Sequence, residues 1–332
     1  MYDVFIINCL SLSMKTLCML ILSLAIHQSP DSTRTSGDSL RVLFWNLENF
    51  FDWRNDSTSV SDAEYSVKGN RHWTRKRFYA KCNAIAKGIL WAGTPDVIGL
   101  AEVENSFVLR RLLESTALRK LDYRIVHFDS PDLRGIDAAL LYRASRLELI
   151  DARPCHLYTP DSTILATRDI LLVRLRGPDG ADTAFLVNHH PSKYGGASLS
   201  APKRQTAVRR LRQLADSLLH AGVPRILAMG DMNDTPDNPV FKELEPALRN
   251  LAYPLHRQGK GSIKYEGRWE LIDLFFASPA ASIGPMRILE IPFLMTPDKA
   301  CAGYKPLRTY SGPRYLGGVS DHLPITITLL NR

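Results

Sequence analysis

The sequence predicts a mixed α/β fold in which two β-sheets pack face to face and helices cover their outer sides. Three observations lead there. Short apolar strand candidates recur along nearly the whole chain from Leu40 onward, and longer stretches with helical spacing interrupt them. The turn Gly177-Pro178-Asp179-Gly180 between two apolar runs is a hairpin signal, which makes the sheets mixed rather than purely parallel. A hydrophobic fraction of 45% in 332 residues also supplies a full core without disulfide staples.

In order, Leu40–Trp45 is a strand candidate, followed by a polar, irregular stretch to about Asn70. Phe78, Cys82, Ile85 and Ile89 stand at helical spacing and predict a helix over Trp73–Trp91, stopped by Gly93-Thr94-Pro95. Asp96–Ala101 reads as a buried strand, and Asn105 is placed to cap a helix running to about Leu118. Arg124–Phe128 and Asp137–Tyr142 read as paired strands, and Asp169–Leu175 and Thr183–Asn188 flank the hairpin turn. Val208, Leu211, Ala215 and Leu218 share one face of a long helix, Ala201–His220. Arg225–Met229, Leu271–Ala277 and Ile325–Leu330 complete the strands. No repeat or internal boundary divides residues 40–332, which are expected to form one domain.

The N-terminus differs from this body. Residues 1–25 read as a signal peptide, with Met14 as an alternative start: Lys15, an apolar run, then the small-x-small pattern Ser23-Leu24-Ala25. A retained anchor is the alternative, because Val4–Ile26 is long enough to span a bilayer. Residues 26–39 form a polar, Ser/Thr-rich linker. The expected destination is export, whether periplasmic, cell-surface or secreted. Cys82, Cys155 and Cys301, the cysteines outside the leader, form neither a disulfide framework nor a C-x-x-C metal motif, so buried free thiols are expected.

The chemistry sits where apolar runs stop. Val42–Trp45 ends in Asn46-Leu47-Glu48-Asn49, and Val97–Ala101 ends in Glu102. Ala184–Val187 ends in Asn188-His189-His190, and Ile226–Met229 leads into Asp231-Met232-Asn233-Asp234. Asp273 interrupts Leu271–Phe276, and Ser320-Asp321-His322 precedes the last strand. Singly, Asn or Asp at a strand end usually makes a turn or a cap. A carboxylate set against an apolar strand, as at Glu102 and Asp273, is costly to desolvate unless it is paired or bound to a metal. Six such features together are not independent turns.

With these residues on view, the sequence resembles the endonuclease/exonuclease/phosphatase superfamily, which includes deoxyribonuclease-like enzymes, phosphatases and sphingomyelinases. The resemblance rests on FWNLENFFD (44–52), GLAEVEN (99–105), RGIDAALLYR (134–143), VNHHPSKYGG (187–196), MGDMNDTP (229–236), LIDLFF (271–276) and SDHLP (320–324), in family order. It implies a DNase I-like, four-layered α/β sandwich with its site at one edge of the two sheets, and a metal-dependent phosphoesterase activity. By the same resemblance His189, Asp231, Asn233, Asp273 and His322 are the catalytic candidates. Asp231 would activate water with Asn233 as helper, Asp273 would hold His322 charged, and His189 would be a general acid or phosphate donor. Asn46, Glu102 and Asp321 are the candidates for the metal, with Glu48 as an outer carboxylate. Mg²⁺ is the expected ion and Mn²⁺ or Ca²⁺ the alternatives. Arg134, Ser192 and Lys193 are the candidates for substrate contact, with Tyr194 on the same loop.

The net charge of +8, with Lys and Arg clustered on Arg71–Lys87 and Lys203–Arg212, favours a polyanionic partner. Nucleic acid is the expected substrate, read through its backbone and so without sequence preference. The alternatives are a phosphatase acting on a phosphorylated small molecule, a phospholipid phosphodiesterase, and a catalytically silent binding module. Phe50-Phe51-Asp52-Trp53 is the nearest approach to a membrane-docking loop, with core packing as its expected role. No stable protein partner is expected.

Overall fold

The computed structural model describes residues 39–55, 59–193 and 195–330; the expected leader, residues 26–38 of the expected linker and Tyr194 lie outside them. Alternation along the first strand, β1 (Ser39–Phe50), sets the layers. Val42 and Phe44 join a core with Leu186, Leu227 and Phe275 of the second sheet, while Leu43 and Trp45 join a core with Phe78, Cys82, Ile85 and Ile89 of the helix Arg75–Trp91. Successive side chains of a strand point to opposite faces, so one strand serves both interfaces.

The first sheet takes the order β13-β18-β1-β2-β4-β3, where β2 is Val97–Val103, β3 Tyr123–His127, β4 Asp137–Arg143, β13 Arg287–Ile288 and β18 Ile325–Leu330. The second takes the order β5-β6-β7-β8-β12-β9, where β5 is Glu148–Cys155, β6 Ile170–Arg176, β7 Asp182–His189, β8 Arg225–Asp231, β9 Arg249–Asn250 and β12 Asp273–Ala277. Three small hairpins complete the strands: β10 (Ile263–Tyr265) with β11 (Arg268–Glu270), β14 (Met295–Pro297) with β15 (Tyr304–Pro306), and β16 (Tyr310–Ser311) with β17 (Arg314–Tyr315). Ala207, Val208, Leu211, Ala215 and Leu218 of the helix Ala197–His220 pack into the core of the second sheet. Helix, sheet, sheet and helix make the four-layered α/β sandwich that the sequence predicts.

Several boundaries move. The helix Ala197–His220 begins four residues before the expected start at Ala201, because Ala197–Leu199 is exposed and shows no periodicity. The helix capped by Asn105 ends at Ser115, and a 3₁₀ turn, Ala117–Lys120, follows. The irregular stretch before Asn70 contains a short helix, Val60–Glu64. Phe50 and Phe51 are fully buried, so this segment is core and not a membrane loop. Cys82 and Cys155 are buried free thiols, and Cys301 is free and half-buried. Among the described residues no helix is long and apolar enough to cross a membrane.

Strand direction gathers the polar ends. β1 and β2 are parallel, as are β7 and β8, so all four finish at one edge of their sheets. β12 runs antiparallel to β8 and β18 antiparallel to β1, so both begin at that edge.

Candidate active site

Register builds the centre of the site. His189 pairs with Asp231 across β7 and β8, and Asp231 pairs with Asp273 across β8 and β12. Laterally paired residues share a face of the sheet and stand about 5 Å apart. The three side chains therefore form one row facing the other sheet. From that sheet Asn46 Nδ2 donates to Asp231 Oδ2 at 3.0 Å, while Asn46 Oδ1 accepts the Glu48 N–H at 3.0 Å. His322 reaches into the same row: its Nδ1 lies 2.7 Å from Asp273 Oδ2, and its Nε2 is 3.8 Å from Asp231 Oδ2. His189 Nε2 is also 3.8 Å from that oxygen.

Glu102 stands at the end of β2, where the pairing with β4 shifts register between Leu100 and Val103. Its φ of 60° lies in the left-handed region, as do those of Glu48, Asn49 and Asn233. Each such residue stores on the order of 1 kcal/mol of strain, and such strain concentrates at functional sites. Glu102 Oε2 accepts the Asn49 N–H at 2.7 Å, and Oε1 lies 3.9 Å from His189 Nε2. Arg134 closes this side, donating to Asn49 Oδ1 at 2.6 Å with its guanidinium 3.6 Å from Glu102 Oε2.

The buried row separates its charges. Burial pushes the Asp231 carboxyl up to about 7, opposed by His322 and by the hydrogen bonds from Asn233 and Asn46. Burial alone would lower His322, but the carboxylates of Asp273 and Asp231 outweigh it and hold the ring charged well above its ordinary range. His189 goes the other way: burial, then Arg168 and Arg134, keep it neutral. Asp231, Asp273 and His322 offer ligand atoms within 4.8 Å of one another, a spacing that could hold an ion. An imidazolium cannot ligate, however, and Asp273 Oδ2 also receives the Ser262 hydroxyl at 2.5 Å. Glu102 Oε1 carries no hydrogen bond among the described residues, nor does the buried Asp273 Oδ1, and carboxylate oxygens of this kind suit a hard divalent cation. Glu102 and the Asp231–Asp273–His322 cluster are thus both places where residues could hold a metal.

The other expected residues divide. Asn233 is not on an extended segment; its left-handed backbone brings its N–H to Asp231 Oδ1 at 2.9 Å, while its Nδ2 donates to the His190 carbonyl at 3.0 Å. One amide N–H remains for other use. Lys193 is held at the rim, 3.3 Å from Asp234, and Ser192 is half-buried beside it. Asp321 Oδ1 lies 3.9 Å from His322 Nε2, and Asp321 Oδ2 accepts from Arg308 at 2.9 Å. The sequence pattern missed Arg308, Thr309 and Ser262, which lie in segments without periodicity. It also misplaced Lys81, which is not surface charge: it is buried and donates to the Glu48 carbonyl at 2.5 Å and to Thr309 Oγ1 at 2.9 Å. Its position three residues after Phe78 and four before Ile85, on the apolar stripe, is the signal that finds it. Arg204 is likewise buried against Asp234 at 2.6 Å.

His190 takes no part in the row. Both its ring nitrogens are buried without a hydrogen-bond partner, and burial, then Arg168 and Arg204, push it down to about 3. Unfolded, the ring titrates near 6.5. The unfolded state therefore binds the extra proton between those values, and native stability falls as pH drops through that window. The loss from this group is about 2 kcal/mol between pH 6.5 and pH 5. His190→Phe should remove it, so that the urea midpoint changes less between pH 7 and pH 5 than in the wild type.

A family model described as the endonuclease/exonuclease/phosphatase family matches residues 41–331, and the chain belongs to that family. It is thus a phosphoesterase-family hydrolase of DNase I-like fold. Among solved structures, the human Nocturnin catalytic domain with bound sulfate is similar at 18% identity and TM-score 0.56, over 87% of this chain and 93% of that one. A mannosyl-6-phosphatase of Bacteroides thetaiotaomicron is similar at 14% identity and TM-score 0.57, over 87% and 98%. The D. rerio TDP2 structure complexed with single-strand DNA product is similar at 15% identity and TM-score 0.53, over 87% and 98%. At these identities the likeness is one of fold. No curated protein matches the chain.

Proposed function

We propose that the protein is an exported, divalent-metal-dependent phosphodiesterase, most simply an endonuclease of low sequence specificity. The observation that carries the chemistry is the position of Asp231, buried between His189 and His322 and touched by the Asn46 amide from the opposite sheet. Asp231 is the general base: it orients a water and accepts its proton, and a carboxyl raised toward neutrality suits that task. Asp273 holds His322 through Nδ1, which leaves the Nε2–H to donate to a phosphoryl oxygen. His189, kept neutral, serves as a hydrogen-bond partner of the phosphate rather than as a general acid. Asn233 supplies its remaining amide N–H beside Asp231. Glu102, with Asn46 adjacent, would hold the cation, Mg²⁺ first and Mn²⁺ or Ca²⁺ as alternatives. When bound there, the ion would supply Lewis-acid neutralisation of phosphate charge.

Nucleic acid is favoured by exposed cations set over half-buried aromatic rings near the loops that follow β1 and β2. Arg54 stacks 4.3 Å from the Phe107 ring centroid and 5.3 Å from that of Trp53, and Arg75 lies over Trp53 and Tyr79. Such groups hold a phosphate backbone and stacked bases without reading sequence. Arg134 and Lys193 would contact the phosphates nearest the reacting bond, with Ser192 beside them. Export rests on the leader sequence.

The test offers supercoiled plasmid, bis-p-nitrophenyl phosphate, a sugar phosphate and sphingomyelin, each with Mg²⁺, Mn²⁺ or Ca²⁺. Nicking of plasmid without a site pattern, suppressed by salt, is the expected result. Phosphate release from the sugar phosphate alone would make it a phosphatase, and sphingomyelin hydrolysis alone a lipid phosphodiesterase. No hydrolysis at all would leave a binding module.

A further inference from the structure

Arg308 bridges two carboxylates of the cleft. Its Nε lies 3.1 Å from Glu48 Oε1, and its Nη2 lies 2.9 Å from Asp321 Oδ2. The second oxygen of Glu48 accepts the Thr309 N–H at 2.7 Å. The bridge is anchored from below, because buried Lys81 donates both to the Glu48 carbonyl and to the Thr309 hydroxyl. That hydroxyl also lies 3.3 and 3.1 Å from the carbonyls of Gly318 and Val319, three and two residues before Asp321. Both oxygens of Glu48 and one of Asp321 are therefore already occupied by N–H donors of the protein. Glu102 differs, with one oxygen bonded to the Asn49 N–H and the other free among the described residues.

We propose that Arg308 is a resident cation that fills the Glu48–Asp321 pair, so that the site takes one divalent ion, at Glu102, instead of two. This rests on the metal-dependent reading above. Two-ion phosphoesterases set their ions about 4 Å apart and need carboxylates for each. Glu48 and Asp321 are a carboxylate pair of the cleft that could serve a second ion. A guanidinium matches two carboxylates with a fixed, permanently charged fork. A divalent ion arriving there has to expel that charge and break its hydrogen bonds. Arg308 is half-exposed while Glu48 is buried, and its Nη1 makes no hydrogen bond to the described residues. It therefore keeps donors for a substrate phosphoryl oxygen and acts on the reaction as a fixed positive charge.

The experiment is a Mn²⁺ titration read by electron paramagnetic resonance and calorimetry, so that ions are counted without reference to turnover. Wild type and Arg308→Lys should bind one ion per chain. Arg308→Ala should bind two, the second more weakly. Arg308→Gln keeps length and hydrogen bonding without charge and should also bind two, which covers the case in which the alanine variant does not fold. Glu102→Gln should lose the tight ion. Two ions on the wild type, or one ion on the folded Arg308→Gln protein, would overturn the proposal while leaving a metal-dependent enzyme intact. No ion on the wild type would overturn the metal-dependent reading itself, and this inference with it.

Discussion

If the protein is the phosphodiesterase proposed above, Asp231→Asn should lower kcat by about 10³-fold, within the range that a positioned general base contributes. The amide keeps the shape of the side chain and retains an oxygen for the Asn233 N–H, 2.9 Å away. It cannot accept a proton from water. Stability should change little, because relief of a buried carboxylate pushed up to about 7 offsets the acceptor that the Asn46 amide loses. Steady-state rates at saturating metal, with a thermal melt beside them, separate the two effects. A rate loss with an unchanged melt is expected; an unchanged rate would remove Asp231 from the chemistry.

Asp273→Asn should cost nearly as much, and the pH profile shows why. With Asp231 as base, kcat/KM climbs as pH rises through about 7, because the carboxyl must be deprotonated. His322 must stay protonated, so the rate falls again where the imidazolium loses its proton. In the wild type that alkaline limb lies well above 6.5, since Asp273 and Asp231 hold the charge against burial. Asp273→Asn removes the first of these carboxylates, so the limb should move to lower pH and the maximum should shrink. His322→Ala removes the limb and lowers kcat by about 10²-fold or more. A limb that stays in place in Asp273→Asn would show that another group sets it.

How much of this was legible depends on which physical rule each residue obeys. β1, β2, β7 and β8 are buried strands with apolar runs, and each announces its own end, so Asn46, Glu102, His189 and Asp231 could be picked out as polar stops. That they meet follows from register, and no single strand contains register. The row His189–Asp231–Asp273 needs two pairings, each between residues 42 apart, and here family order supplied what periodicity could not. β5 was missed because its exposed and half-buried residues do not alternate. Arg308 was missed because its role is created by Glu48, 260 residues away in sequence. Lys81 was legible but counted with the basic run Arg71–Lys87, although a charge on an apolar stripe is a buried group with partners. Asn233 was legible as a partner of Asp231, but its left-handed backbone was not, because no spacing signals it.

The most direct test of a single metal-assisted site is a double-mutant cycle on bis-p-nitrophenyl phosphate hydrolysis in Mg²⁺, comparing Asp231→Asn, Glu102→Gln and the pair. If Glu102 holds the ion that acts on the same phosphate whose attacking water Asp231 deprotonates, each single change should cost about 10³-fold, and the double change little more, because residues acting as a unit are strongly non-additive. Losses that multiply, or a Glu102→Gln protein that keeps wild-type rates, would contradict it.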